Sequence, residues 1–218
     1  MLDASELPPT FGLDPARYEA RIAGGDGALR TAVEGAEDDR DAGARCVADV
    51  RAGDVVVGLS ASGGAPFVRA ALQAARAQGA RTIAILNAPG GALAGDADVA
   101  IVARTGAEPI AGSTRMRAGT AQKIVLNAIS TGAMIRLGKT YGNRMVDLVA
   151  TNAKLGARSE RLVRDLAGDV DARALLAAAG GSVKTAVVMA RRRVGRDDAE
   201  ALLAAARGRL AQVIDAGG

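Results

Sequence analysis

Apolar positions fall into short unbroken runs in the first half of the chain and into helical spacings in the second. Asp54–Leu59 is a run of the kind found in a strand buried on both faces, and it closes on a Gly/Ser loop. Between Pro66 and Gln78 apolar residues recur every three or four positions, with Pro at the first turn and Gly79 just past the end, which predicts a helix. Arg81–Leu86 predicts the next strand, a Gly/Pro-rich loop follows, and Asp98–Ala103 predicts a third. Strands alternating with helices predict an α/β fold, a doubly wound parallel sheet with flanking helices. Upstream, Ala28–Val33 and Asp38–Val50 read as helical and Tyr18–Ala23 as a short strand. A long helical pattern occupies Thr114–Leu137. Beyond Gly142 the strand signal stops, and Ser159–Leu166, Ala172–Ala179, Val183–Arg193 and Asp197–Ile214 carry helical spacing. The expected division is a sheet domain over residues 1–141 and a small helical region over 142–218.

Composition narrows the chemistry. The chain has 218 residues and no histidine, which removes the commonest general base, every Ser-His-Asp triad and every His-ligated metal site. Cys46 is the sole cysteine, so an internal disulfide is excluded and a reducing compartment is expected. Catalysis is then left to carboxylates, lysines, hydroxyls, backbone dipoles or an oxygen-bound cation. No run approaches 18 apolar residues, and residues 1–10 lack the pattern of a secretory leader, so a cytoplasmic protein without a membrane span is expected. The net charge of +4 suits an anionic ligand. Nucleic acid is not expected, because only Arg191-Arg192-Arg193 clusters and the chain has just two Phe, two Tyr and no Trp.

Two segments carry candidate binding chemistry. Gly58–Pro66 lies between a predicted strand and a predicted helix, where glycines admit a ligand to the backbone and the helix start offers unpaired N–H groups. Ser60, Ser62, Gly63 and Gly64 make it a candidate phosphate cradle, and it is neither a Walker loop nor a dinucleotide fingerprint. An ordinary tight turn would read the same way. Gly112–Thr120 is a second small-residue segment entering a helix; Ser113 and Thr114 suit either simple capping or a ligand, and Arg115 and Arg117 oppose the helix dipole. The acidic candidates are Glu6 and the run Glu34–Asp39, which includes Glu37. Such a run commonly marks a solvated helix start, but two carboxylates in different surroundings also suit acid–base work.

Together these segments resemble the N-acetylmuramic acid 6-phosphate etherases, a family of the sugar isomerase (SIS) fold. The resemblance rests on Leu2–Gly12, Ile22–Gly25, Ala32–Asp38, Gly112–Lys123, Tyr141–Asp147, Ala150–Leu155 and Val183–Met189, in the family's order. It implies cofactor-free cleavage of the lactyl ether of a phosphorylated amino sugar. Glu6 and Glu37 would be the catalytic acid–base pair, with Glu6 assisting lactate departure and Glu37 working at C2. Ser60, Ser62, Gly63 and Gly64 would hold phosphate, with Ser113 and Thr114 on the sugar. It also implies a homodimer with active sites at subunit interfaces, and the C-terminal helices, Lys184 among them, are candidates to reach the neighbour's site.

The chain departs from the family in two places. Where the family commonly has a bulky basic residue and a threonine, this chain has Gly64 and Ala65, one hydroxyl donor fewer, worth roughly 1.5–3 kcal/mol of phosphate binding. The family's first strand and its Gly-rich sugar loop precede the stretch that begins here at Leu2, so that strand is expected to be missing. The alternatives within the same fold are a non-catalytic phosphosugar-binding regulatory protein and an aldose–ketose isomerase; the latter often leans on a histidine, which is absent here.

Overall fold

A computed structural model describes residues 1–148, 150 and 152–215. The chain divides into two compact units, Ala20–Asn127 and Met1–Glu19 with Ala128–Gly218.

The first of these holds the sheet. Strands β1 (Val55–Leu59), β2 (Arg81–Leu86) and β3 (Val99–Val102) are parallel and ordered β1-β2-β3, with Val57 opposite Ile83 and Ile83 opposite Val99. All three lie inside the predicted runs. The predicted short strand over Tyr18–Ala23 does not form. That segment has no ladder partner and is held instead by Arg21, whose guanidinium forks onto the Asp49 carboxylate at 2.6 and 2.7 Å.

Helix α3 (Pro66–Ala77) crosses one face of the sheet. Leu72 packs with Ala84, Leu86 and Leu93, and Val56 and Val68 complete the cluster. Gly58 keeps this layer thin, since a Cβ there would lie 2.8 Å from Val68 and 3.0 Å from Leu72. Packed against α3 lies α2 (Arg40–Arg45), where Asp39 caps the first turn by accepting the Ala42 N–H at 2.8 Å. Gly43 is the point of closest approach, because a Cβ there would collide with the Phe67 carbonyl. The helix expected over 38–50 is thus short. After Arg45 the chain tightens into i→i−3 turns at Val47 and Ala48, which carry Val47 and Val50 onto Ala71, Ala75 and Ala80. The expected helix over 28–33 is likewise reduced to a 3₁₀ turn at Asp26–Leu29.

The second unit opens with α1 (Leu2–Phe11), to which the sequence pattern assigned no element. It contains Pro8 and Pro9 and ends on Gly12 in the left-handed region, whose N–H bonds the Pro8 carbonyl at 2.9 Å. Leu7, Phe11 and Leu13 pack against Met134, which belongs to the later part of α4 (Arg117–Arg136). A two-residue hairpin pairs β4 (Thr140–Tyr141) with β5 (Arg144–Met145), a small strand pairing just past the point where the strand signal stops.

The rest is helical: α5 (Ala153–Ala167), α6 (Ala172–Ala178), α7 (Val183–Arg192), α8 (Arg196–Ala205) and α9 (Leu210–Ile214). Helix α7 is their hub, touching α5, α6, α8 and α9 and burying Val183 through Val188. The single helix expected over 197–214 is two, because Arg207 and Gly208 both turn left-handed and Gly208 donates back to the Leu203 carbonyl at 2.7 Å. Among the described residues, no single helix is long and apolar enough to cross a membrane.

Candidate active site

Ligands of open α/β sheets sit beyond the carboxyl ends of the strands, and two loops of the sheet unit run from such an end into a helix. The first follows β1. Ser60 continues the ladder, donating its N–H to the Ile85 carbonyl at 3.1 Å, and Gly63 then donates to the Ser60 carbonyl at 3.0 Å. The Ser62 hydroxyl accepts the Gly64 N–H at 3.2 Å and the Ser60 hydroxyl accepts the Ala65 N–H at 3.4 Å. Each hydroxyl accepts one backbone N–H and keeps its own proton to donate. Pro66 opens that helix and Ala65, at its N-cap, supplies no side-chain cap. The helix start thus keeps its partial positive charge for an anion.

The loop after β2 presses against this cradle. Leu93 donates its N–H to the Gly63 carbonyl at 2.9 Å, and Asn87 donates to the Ala61 carbonyl at 2.9 Å. Gly63 has φ +72°, and a Cβ on it would lie 2.9 Å from both Gly91 Cα and Leu86 Cδ1, so glycine is required there twice over. Gly64 is not so constrained: a Cβ would meet only the Ser62 hydroxyl, at 3.5 Å. The loop after β2 is anchored by Asp96, which accepts from Arg69 Nε at 2.6 Å and from Gln73 Nε2 at 2.7 Å, both on α3. Those two donors hold the Asp96 carboxyl below the usual aspartate range against the opposing effect of its partial burial.

The second loop leads from β3 to α4. Ser113 and Thr114 lie in it, upstream of the helix, which begins at Arg117 rather than Thr114. The cap is Glu108, whose carboxylate accepts the N–H groups of Arg117 and Ala118, each at 2.9 Å. Simple capping is therefore not what Ser113 and Thr114 do, and among the described residues neither hydroxyl has a hydrogen-bond partner. Arg117 turns back and donates to the Ala107 carbonyl at 2.7 Å. Asn87 links the two loops: besides its bond to Ala61, it donates Nδ2–H to the Ala103 carbonyl at 2.9 Å and accepts from Gln122 of α4 at 3.0 Å.

The two carboxylates lie elsewhere in the chain. Glu37 sits exposed in the 3₁₀ turn Ala36–Asp38, which packs against α3. Glu6 is exposed on α1, in the other unit, where Asp3 on the same helix accepts from the Ser130 hydroxyl at 2.8 Å. Lys184 is held within its own chain. It is buried in α7, donates to Asp147 Oδ2 at 2.7 Å and to the Gly208 carbonyl at 2.8 Å, and burial pushes its ammonium pKa below the usual lysine value. Lys139 shares the same Asp147 oxygen at 3.1 Å. Among the described residues, no three His, Cys, Asp or Glu side chains converge as a cation site would require.

Sequence reasoning overlooked Glu108 and Asn87, whose partners are remote in sequence and visible only once the loops are folded. Gln122 falls within the Gly112–Lys123 segment but carries no signal of its own.

Parallel strands, a Ser/Gly loop at a helix start and a second hydroxyl-bearing loop beside it define an α/β domain of the SIS class. Residues 2–76 match the family model described as the glucokinase regulatory protein N-terminal SIS domain. The chain is 50% identical over 221 aligned positions to the N-acetylmuramic acid 6-phosphate etherase of Deinococcus radiodurans, covering 100% of this chain and 72% of the relative. It is 56% identical to the protein of that name from Symbiobacterium thermophilum, covering 86% of this chain and 64% of the relative. With the Escherichia coli K12 protein of the same name identity is 46%, covering 99% and 74%. The chain belongs to the N-acetylmuramic acid 6-phosphate etherase family.

Proposed function

We propose that this chain acts as a carbon–oxygen lyase on N-acetylmuramic acid 6-phosphate, releasing D-lactate and N-acetylglucosamine 6-phosphate in cell-wall amino-sugar recycling. The observation that carries the proposal is identity of 50% across the whole chain to a relative that bears the activity in its name. On this reading the phosphate lies at Ser60, Ser62 and the Gly63–Gly64 backbone, and the sugar faces Ser113 and Thr114. The ring opens to the aldehyde, which acidifies the C2 proton. Glu37 removes that proton, and its electron pair forms the C2–C3 double bond as the C3–oxygen bond breaks. Glu6 delivers a proton to the departing lactyl oxygen. It then takes one from water as the water oxygen adds to C3, and a proton returns to C2. Carboxylates suffice for each transfer, in keeping with a chain that has no histidine. The cytoplasm as its location and a homodimer as its working form belong to the same proposal.

A second reading, a phosphosugar-binding regulatory protein, is favoured by the match of residues 2–76 to a regulatory protein's SIS domain. Assay of D-lactate release from N-acetylmuramic acid 6-phosphate, with the Deinococcus relative as positive control, separates the two. Release by the unaltered chain, lost in Glu6→Gln and in Glu37→Gln, is expected. Binding of the phosphosugar with no release would leave the regulatory reading standing and sink the lyase.

A further inference from the structure

Within the loop between β3 and α4, Glu108 and Arg117 close the segment from Ala107 to Ala118. Glu108 accepts the N–H groups of Arg117 and Ala118, and Arg117 answers by donating to the Ala107 carbonyl. Inside the closed loop Ser113 donates its N–H to the Ile110 carbonyl at 3.0 Å, Gly112 turns with φ +81°, and Gly119 donates to the Thr114 carbonyl at 3.0 Å. Every backbone contact thus fixes the loop while the Ser113 and Thr114 hydroxyls stay without partners among the described residues.

The starts of α3 and α4 differ in charge. At α3 the serine hydroxyls accept from Gly64 and Ala65, ahead of the helix, and no side chain caps its first turn, so the helix dipole is left for an anion. At α4 a carboxylate occupies the corresponding donors, so an incoming phosphate would meet negative charge and find those N–H groups already satisfied. The same two donors hold the Glu108 carboxyl below the usual glutamate range, so the charge is in place at neutral pH.

We propose that Glu108 is a positioning residue: it sets the Ser113 and Thr114 hydroxyls for the uncharged sugar portion of a phosphosugar and closes the start of α4 to phosphate. The proposal rests on the reading above that these hydroxyls face the sugar. It assigns the two loops different halves of one ligand, charge to the Ser60–Ala65 loop and polarity without charge to the Glu108 loop.

Calorimetric titration with two probes, N-acetylglucosamine 6-phosphate and inorganic phosphate, tests it on the unaltered chain and on Glu108→Ala and Glu108→Gln. Glu108→Ala is expected to lose roughly tenfold or more in phosphosugar affinity, since it forfeits two charge-assisted hydrogen bonds of the loop, with phosphate affinity at the Ser60–Ala65 loop held within about twofold and a second phosphate site opening at the start of α4. Glu108→Gln, which keeps one carbonyl acceptor, should fall between, and it carries the comparison if the alanine variant does not fold. Parallel loss of both ligands would show that Glu108 merely supports the fold and would overturn the proposal, as would unchanged phosphosugar binding. If the unaltered chain binds phosphate but no phosphosugar, the functional reading fails first and takes this one with it.

Discussion

Adding one methyl group at Gly91 probes whether the loop after β2 shapes the phosphate cradle. Gly91 has φ −61° and ψ 135°, a conformation open to any residue, so Gly91→Ala strains no dihedral. The new Cβ would lie 2.6 Å from the Ser62 carbonyl oxygen, 2.9 Å from Gly63 Cα and 3.0 Å from Leu86 Cδ1. Ordinary contact begins near 3.4 Å, so the two loops must part by roughly 0.8 Å. Leu86 is fully buried and has no room to yield, which directs the movement into the cradle. Parting stretches the Leu93-to-Gly63 bond from 2.9 Å toward the limit of a hydrogen bond. Overpacking of this kind costs about 1–3 kcal/mol. For a chain of this length that lowers the unfolding midpoint by roughly 2–12 °C. Displacing the Ser62 and Gly63 backbone by a good fraction of an ångström should cost at least about tenfold in phosphosugar affinity, or about 1.4 kcal/mol. Gly95→Ala, in the same loop, is the control, since its Cβ meets nothing within 4 Å. Thermal unfolding and calorimetric titration of both variants decide the matter. If Gly91→Ala binds as the unaltered chain and Gly95→Ala do, the loop-on-loop description of the cradle is wrong.

Ala65→Thr places a hydroxyl at the uncapped N-cap of α3 and should stabilise the chain by about 0.5–2 kcal/mol in urea unfolding, with tighter phosphosugar binding in the same preparation. Asp147→Asn strands the buried Lys184 ammonium beside Lys139 and should cost roughly 3–5 kcal/mol, whereas Lys184→Met leaves Asp147 paired with Lys139 and should cost far less. Because Lys184 has a lower pKa folded than unfolded, the unfolded chain holds more protons between those two values. Stability should therefore rise with pH across that window, and the rise should vanish in Lys184→Met when urea midpoints are compared from neutral to alkaline pH.

Elements whose signal is local were legible in the sequence. Strands β1 to β3 and helix α3 form where short apolar runs, a first-turn proline and a trailing glycine place them. Failures arose where a remote partner overrode local pattern. Residues 18–23 have the composition of a strand, but a strand needs a neighbour, and Arg21 bonds Asp49 instead. The helical spacing over 197–214 is real, yet Gly208 turns left-handed where its carbonyl meets Lys184 from a different helix. Within the candidate site, the turn through Ser60, Ser62 and Gly63 was readable because the strand before it, its glycines and the helix after it are all signalled locally. Glu108 was not, since nothing in Ala107-Glu108-Pro109 announces a cap for a helix that starts nine residues later.

Strands β1 and β3 form the two margins of the sheet among the described residues, and Val55 and Val99, one on each, are 58% and 51% exposed. Such margins are templates for another chain's strand, and natural sheets usually guard them with charge or proline. Little here stands guard beyond a net charge of +4, whose repulsion reaches only about 8 Å at physiological ionic strength. Colloidal behaviour is therefore set by salt more than by heat. Concentrating the protein in a high-salt buffer screens that repulsion, so edge-to-edge association is expected to rise with salt below the unfolding temperature.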